Sequence, residues 1–163
     1  MSYLACMLVM GVGATVLMDL WAIARKRVFG VPPTNYAFVG RWFAHLARGR
    51  FRHESIALSS PMRGELLLGW VVHYVVGVVF AALLLSVWGL AWVRHPMIGP
   101  ALIVGIGTVA APFLLLQPGM GAGVAASRTP RPAAARMQSL VTHTIFGLGL
   151  YAFGWVARGL LAL

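Results

Sequence analysis

Four long apolar runs, separated by polar or basic stretches, set the plan of this chain. A helix that crosses a bilayer needs about 20 predominantly apolar residues. Residues 3–24 supply one run, interrupted only by Asp19 and stopped at Arg25-Lys26-Arg27. Residues 66–88 supply the second, with His73 inside it, and residues 97–117 the third, broken at Gln117-Pro118-Gly119. Residues 137–157 are the fourth and hold His143. The pattern predicts an all-α membrane protein: four transmembrane helices in one bundle, with residues 1–163 as a single transmembrane domain.

The first connection has a pattern of its own. Tyr36, Val39, Trp42, Phe43 and Leu46 recur at helical spacing, while Arg41, His45 and Arg48 mark a basic face. Thr34 or Asn35 suits the cap after Pro32-Pro33. A short amphipathic helix lying on the headgroups is expected. His45, His53 and Glu54 fit no metal-ligand spacing and read as a solvated loop.

Composition agrees with the membrane reading. The chain is 60% apolar and 10% charged, against about 25% charged in soluble domains. The net charge of +10 raises the question of nucleic acid, but all thirteen Lys and Arg lie outside the apolar runs. Eleven of them fall in the first and third connections: Arg25, Lys26, Arg27, Arg41, Arg48, Arg50, Arg52, Arg63, Arg128, Arg131 and Arg136. Only Arg94 and Arg158 fall on the other side. The positive-inside rule then places those connections in the cytoplasm and both termini outside, in a bacterial inner membrane. Partners on this reading are the bilayer and anionic headgroups, and nucleic acid is set aside. The lone Cys6 excludes an intramolecular disulfide or a tetrathiolate metal site. No basic n-region precedes it, so the first run reads as a retained anchor.

The polar residues inside the runs are the candidate chemistry. Ionisable groups in a membrane span are costly and usually face a partner, a ligand or water. At 1.5 Å per residue, His73 and His143 lie about 10 Å and 9 Å from the cytoplasmic starts of their runs. Asp19 and Gln117 fall at a similar level, which predicts one polar slab with a member from each helix. Small residues at every fourth position mark the faces: Gly11 and Thr15 with Asp19, Gly69 and Gly77 with His73, Gly147 with His143. Asp19, His73, Gln117 and His143 are the candidate substrate or proton site, with Thr15, Gly77 and Gly147 in support. A weak identity between the second and fourth runs, including both His-x-x-x-Gly pairs, suggests two helix-pair repeats.

Residues 117–132, QPGMGAGVAASRTPRP, are the other distinctive stretch. Successive amides in a glycine-rich turn can cradle an anion, with Arg128 and Arg131 as the anion or headgroup contacts. A helix break with close packing, or a re-entrant segment, are the alternatives. No Lys-Ser/Thr follows the glycines, so a nucleotide loop is excluded.

GVGATVLMDLWA, NYAFVGRWFAHLARGRFRHESI, APFLLLQPGMGAGVAASRTPRP and SLVTHTIFGLGLY together resemble an uncharacterised bacterial family of small integral-membrane proteins, a domain of unknown function. The resemblance covers nearly the whole chain. It implies an inner-membrane protein of about four helices and brings no activity, substrate or site residue.

Three functions follow from the residues. The first is a small transporter or solute-binding protein, in a homo-oligomer if four helices are too few. The second is a redox protein binding haem b or a quinone, with His73 and His143 as axial ligands. The third is a structural or accessory subunit. No paired carboxylates, Ser-His-Asp set or His-Glu-x-x-His favours an enzyme.

Overall fold

The computed structural model describes residues 2–161, and the described residues are all helix, turn or loop. Four helices are long and apolar enough to cross a membrane: Tyr3–Phe29, Glu65–Arg94, Ile98–Gly119 and Pro132–Leu160. α1 (Tyr3–Phe29) is capped by the Ser2 hydroxyl and ends on Gly30, whose left-handed φ of 67° lets its N–H reach the Lys26 carbonyl. Lys26 and Arg27 sit in that last turn, where cations oppose the helix dipole. α1 therefore runs past the basic triplet instead of stopping at it.

α2 (Tyr36–Leu46) starts at Asn35, whose side chain accepts from the Ala37 N–H. α3 (Glu65–Arg94) is broken by Gly89 at φ 67°. α4 (Ile98–Gly107) follows a short turn. The helical path then widens into a π turn at Pro112–Leu116 before α5 (Gln117–Gly119). The span ends at Gly119, the last residue of the expected break at Gln117-Pro118-Gly119. Pro118 stands in the last turn of this continuous path, and the chain leaves the helix after Gly119. α6 (Pro132–Leu161) completes the chain.

The chain divides into two compact units: Met1–Pro33, Tyr74–Thr108 and Leu140–Leu163 form one, Thr34–His73 and Val109–Ser139 the other. The first unit is a helical bundle with an apolar core. Cys6, Met10 and Ala14 of α1 are fully buried there with Leu84, Val93, Ala101 and Leu150. Glycines set the spacing. Gly11 lies on Gly77 and Val78, Gly105 on Gly147, and Gly149 on Ala14, each too close to admit a Cβ without a shift. Opposite faces are left to lipid: Leu4, Leu8, Val12, Val16 and Leu20 of α1 are exposed, as are Val75, Val79, Leu83 and Val87 of α3.

The second unit is held by polar contacts. The Arg41 guanidinium forms a two-pronged ion pair with Glu65, Nε to Oε2 at 2.8 Å and Nη2 to Oε1 at 2.7 Å. Its Nη1 donates to the carbonyls of Ile56, Ala57 and Ser59. One buried side chain thereby ties α2, the turn at Ile56–Leu58 and the start of α3 together. The His53 and Ile56 amides donate to the Gly119 and Met120 carbonyls.

This arrangement corrects two expectations. No residue of α2 is exposed, and Arg41 and His45 are each 7% exposed. They form no basic face on the headgroups, because Glu65 and the Ser60 carbonyl satisfy them inside the unit. His53, read as part of a solvated loop, is equally buried.

Candidate functional site

Each intramembrane ionisable group meets a hydroxyl. In the first unit, Tyr74 donates to Asp19 Oδ2 at 2.9 Å. Thr108, at the end of α4, gives its proton to the Gly105 carbonyl at 2.6 Å and lies 3.1 Å from His143 Nδ1. When that proton stays on the shorter Gly105 bond, the Thr108 oxygen accepts and His143 Nδ1–H donates. A neutral His143 therefore keeps its Nε2 lone pair for a proton or a donor ligand. Asp19 and His143 share the unit, but each has its own hydroxyl partner.

In the second unit, His73 Nε2 is joined to the Tyr36 hydroxyl at 2.9 Å. The Tyr36 ring lies 4.5 Å from the imidazole and 4.3 Å from the Trp70 ring, a half-stacked aromatic group. Gly69 and Gly40 make this possible. A Cβ at Gly69 would overlap the Tyr36 carbonyl, and one at Gly40 the Glu65 carbonyl. Gln117 Oε1 is buried in this unit without a hydrogen-bond partner. The four candidate residues are thus divided, Asp19 and His143 in one unit, His73 and Gln117 in the other.

Of the supporting residues, Thr15 spends its hydroxyl on the Gly11 carbonyl of its own helix at 2.7 Å. Gly77 packs on that Thr15 side chain, and Gly147 on Ala101 and Leu102 of α4. The roles of Tyr36, Tyr74 and Thr108 were not visible in the sequence. Tyr74 directly follows His73, and Thr108 follows Gly105-Ile106-Gly107; neither position signals its partner.

Outside the spans, Arg41 is held above its ordinary range by its hydrogen bonds to Glu65. Burial lowers the His53 pKa, and the neighbouring charges of His45 and Arg50 add to this. Its Nδ1 lies 2.8 Å from Ser59 Oγ, while its Nε2 is buried without a partner.

The residues fit haem poorly. An axial ligand would use an imidazole nitrogen with an open face, and His73 Nε2 is occupied by Tyr36 with aromatic rings beside it. Among the described residues, no three His, Cys, Asp or Glu side chains are grouped to hold a metal ion.

A family model described as a protein of unknown function, DUF2938, matches residues 8–157. The chain belongs to this family. No curated protein and no solved structure matches it. Membership agrees with the resemblance carried by the sequence segments and leaves the chemistry to the residues themselves.

Proposed function

We propose that this DUF2938 member is a small multi-pass membrane carrier, or solute-binding membrane protein, whose intramembrane groups take up and release a proton. The observation that carries the reading is His143. Its Nδ1 lies 3.1 Å from the Thr108 hydroxyl, and with the ring proton on Nδ1 its Nε2 is a proton acceptor on an apolar helix. The Asp19–Tyr74 pair supplies a second exchangeable group in the same unit. Groups of this kind inside membrane spans mark ion and proton paths. His73 with Tyr36 and Gln117 form the corresponding polar set of the other unit.

The basic connections face the cytoplasm in this reading, in a bacterial inner membrane, with both termini outside. Lys26, Arg27, Arg48, Arg50, Arg52, Arg63, Arg128, Arg131 and Arg136 are all exposed and meet anionic headgroups. A homo-oligomer supplies the helices that a single chain lacks for alternating access.

The same hydrogen bonds favour a second reading. Tyr74 to Asp19 joins α3 to α1, and His143 to Thr108 joins α6 to the end of α4. Such bonds between membrane helices contribute about 1 kcal/mol each, which suits a structural or accessory subunit.

Proton flux separates the two. Purified protein in liposomes loaded with a pH-sensitive dye is driven by a potassium diffusion potential. A carrier gives flux above empty liposomes that falls at least about tenfold in His143→Ala and Asp19→Asn, scaled to the stabilisation of one charge-assisted bond. Wild-type flux equal to that of empty liposomes, or unchanged in both folded variants, overturns the proton reading. Lowered melting temperatures with no flux to lose identify the structural role.

A further inference from the structure

Residues 51–56 lie as a strap across the end of α5. The His53 amide donates to the Gly119 carbonyl at 2.9 Å and the Ile56 amide to the Met120 carbonyl at 3.0 Å. Gly121, at φ 95°, lies on the His53 and Glu54 carbonyls with no room for a Cβ. The Trp42 indole packs on Gly119 and donates from Nε1 to the Phe51 carbonyl at 2.8 Å. These contacts bracket His53, and all lie within the second unit.

The strap is seated on an imidazole with no place for a second proton. His53 is 7% exposed. Its Nδ1 lies 2.8 Å from Ser59 Oγ, which donates to the Ser55 carbonyl at 3.3 Å, and its Nε2 is buried without a hydrogen-bond partner. A neutral ring tolerates this, with Nδ1–H on Ser59 and a lone pair on Nε2. A charged ring carries a proton on both nitrogens, so Nε2–H becomes a buried donor without an acceptor. The surroundings are also positive. From α2, the His45 ring stands 5.0 Å away, its Nε2–H on the Ser60 carbonyl, which can only accept. Arg41 of α2 and Glu65 of α3 face the same loop but neutralise each other in their ion pair. Next to the strap stands Arg50, and within it Arg52 and Glu54 are exposed. The end of α5, residues 117–121, brings no titratable group. Burial, then the charges of His45 and Arg50, lower the His53 pKa, and the Arg50 carbonyl opposes them only weakly.

We infer that the strap is a pH-sensitive latch: protonation of His53 releases residues 51–56 from the Gly119–Gly121 turn while the membrane spans stay folded. The direction follows from burial. In a released strap the ring meets water and titrates near the ordinary value of about pH 6.5, above its value in the closed strap. Closure is therefore at full strength above about pH 6.5 and weakens as the pH falls toward the lowered value. Release frees the Gly119 and Met120 carbonyls and the Trp42 N–H from their partners. The latch lies wholly within the second unit and does not depend on the proton-carrier reading.

Amide hydrogen exchange of the full-length protein in neutral detergent, corrected for the intrinsic pH dependence of exchange, tests this between about pH 7.5 and about pH 5. Peptides covering residues 51–58 should lose about threefold or more of their protection as the pH falls, while those from residues 75–88 of α3 keep theirs. His53→Gln retains a hydrogen-bonding side chain that takes no proton, and abolishes the loss. Arg50→Gln changes an exposed side chain and so keeps the test open if His53→Gln fails to fold. At low salt it moves the midpoint to higher pH, because a positive neighbour of the ring is gone. Protection of residues 51–58 that does not change with pH overturns the latch. So does an equal loss in α3, an undiminished loss in a folded His53→Gln, or a midpoint that fails to rise in Arg50→Gln.

Discussion

His53 illustrates how neighbours decide the state of a residue. It is 7% exposed, with Nδ1 on Ser59 Oγ, the His45 ring 5.0 Å away, and Arg50 as a further positive neighbour. Glu65, the nearby acid, is already paired with Arg41. Burial therefore favours the neutral ring and lowers its pKa. The unfolded chain, with an ordinary histidine near pH 6.5, takes up the proton first. Stability from this residue is complete above about pH 6.5 and is lost as the pH falls through the lowered folded value. The melting temperature in detergent should drop between pH 7 and pH 5, and His53→Gln should flatten that slope. An unaltered slope in the variant would assign the effect elsewhere. None of this was legible in the sequence, where a histidine between Arg52 and Glu54 looks solvated. The burial comes from Arg41, whose fan of carbonyl bonds folds the loop back over it.

At the level of elements, the small residues decide which helices touch. Gly40 of α2 and Gly69 of α3 meet at the backbone, with no room for a methyl group on either. This contact places Tyr36 against His73. Gly69→Ala should cost about 2 kcal/mol, the usual scale of overpacking, measured by unfolding in detergent. Gly159, in α6, has nothing within 4 Å of the place a methyl group would take, so Gly159→Ala should be neutral or stabilise by up to about 1 kcal/mol. Equal gains at both positions would mean that helix propensity, not contact, sets the effect. The four spans were readable because each is a continuous apolar run. The π turn at Pro112–Leu116 was not, since Pro112 signals a disturbed hydrogen-bond ladder without saying which form the disturbance takes.

For the molecule as a whole, the charge distribution makes the strongest statement. With Cys6 replaced by alanine, Arg50→Cys and His95→Cys place single thiols at exposed positions in different connections. A membrane-impermeant maleimide should label position 95 in intact cells and position 50 only after the membrane is opened. The reverse pattern would invert the orientation assigned by the basic residues. The two units divide the polar set between them, Asp19 and His143 on one side, His73 and Gln117 on the other. Variants in each unit therefore need to be read separately in the flux assay.

What the sequence alone determined is the number of spans, a short helix after Pro32-Pro33 and the presence of polar groups inside the membrane segments. These are local properties, summed over one helix length or set by a cap beside it. What only the tertiary structure decided is the pairing: Arg41 with Glu65 across 24 positions, Thr108 with His143 across 35, Tyr36 with His73 across 37. A hydrogen bond depends on the rotation and register of two helices at once. Hydropathy carries neither, because a helix turned by a quarter has the same apolar sum and a different neighbour for every polar side chain.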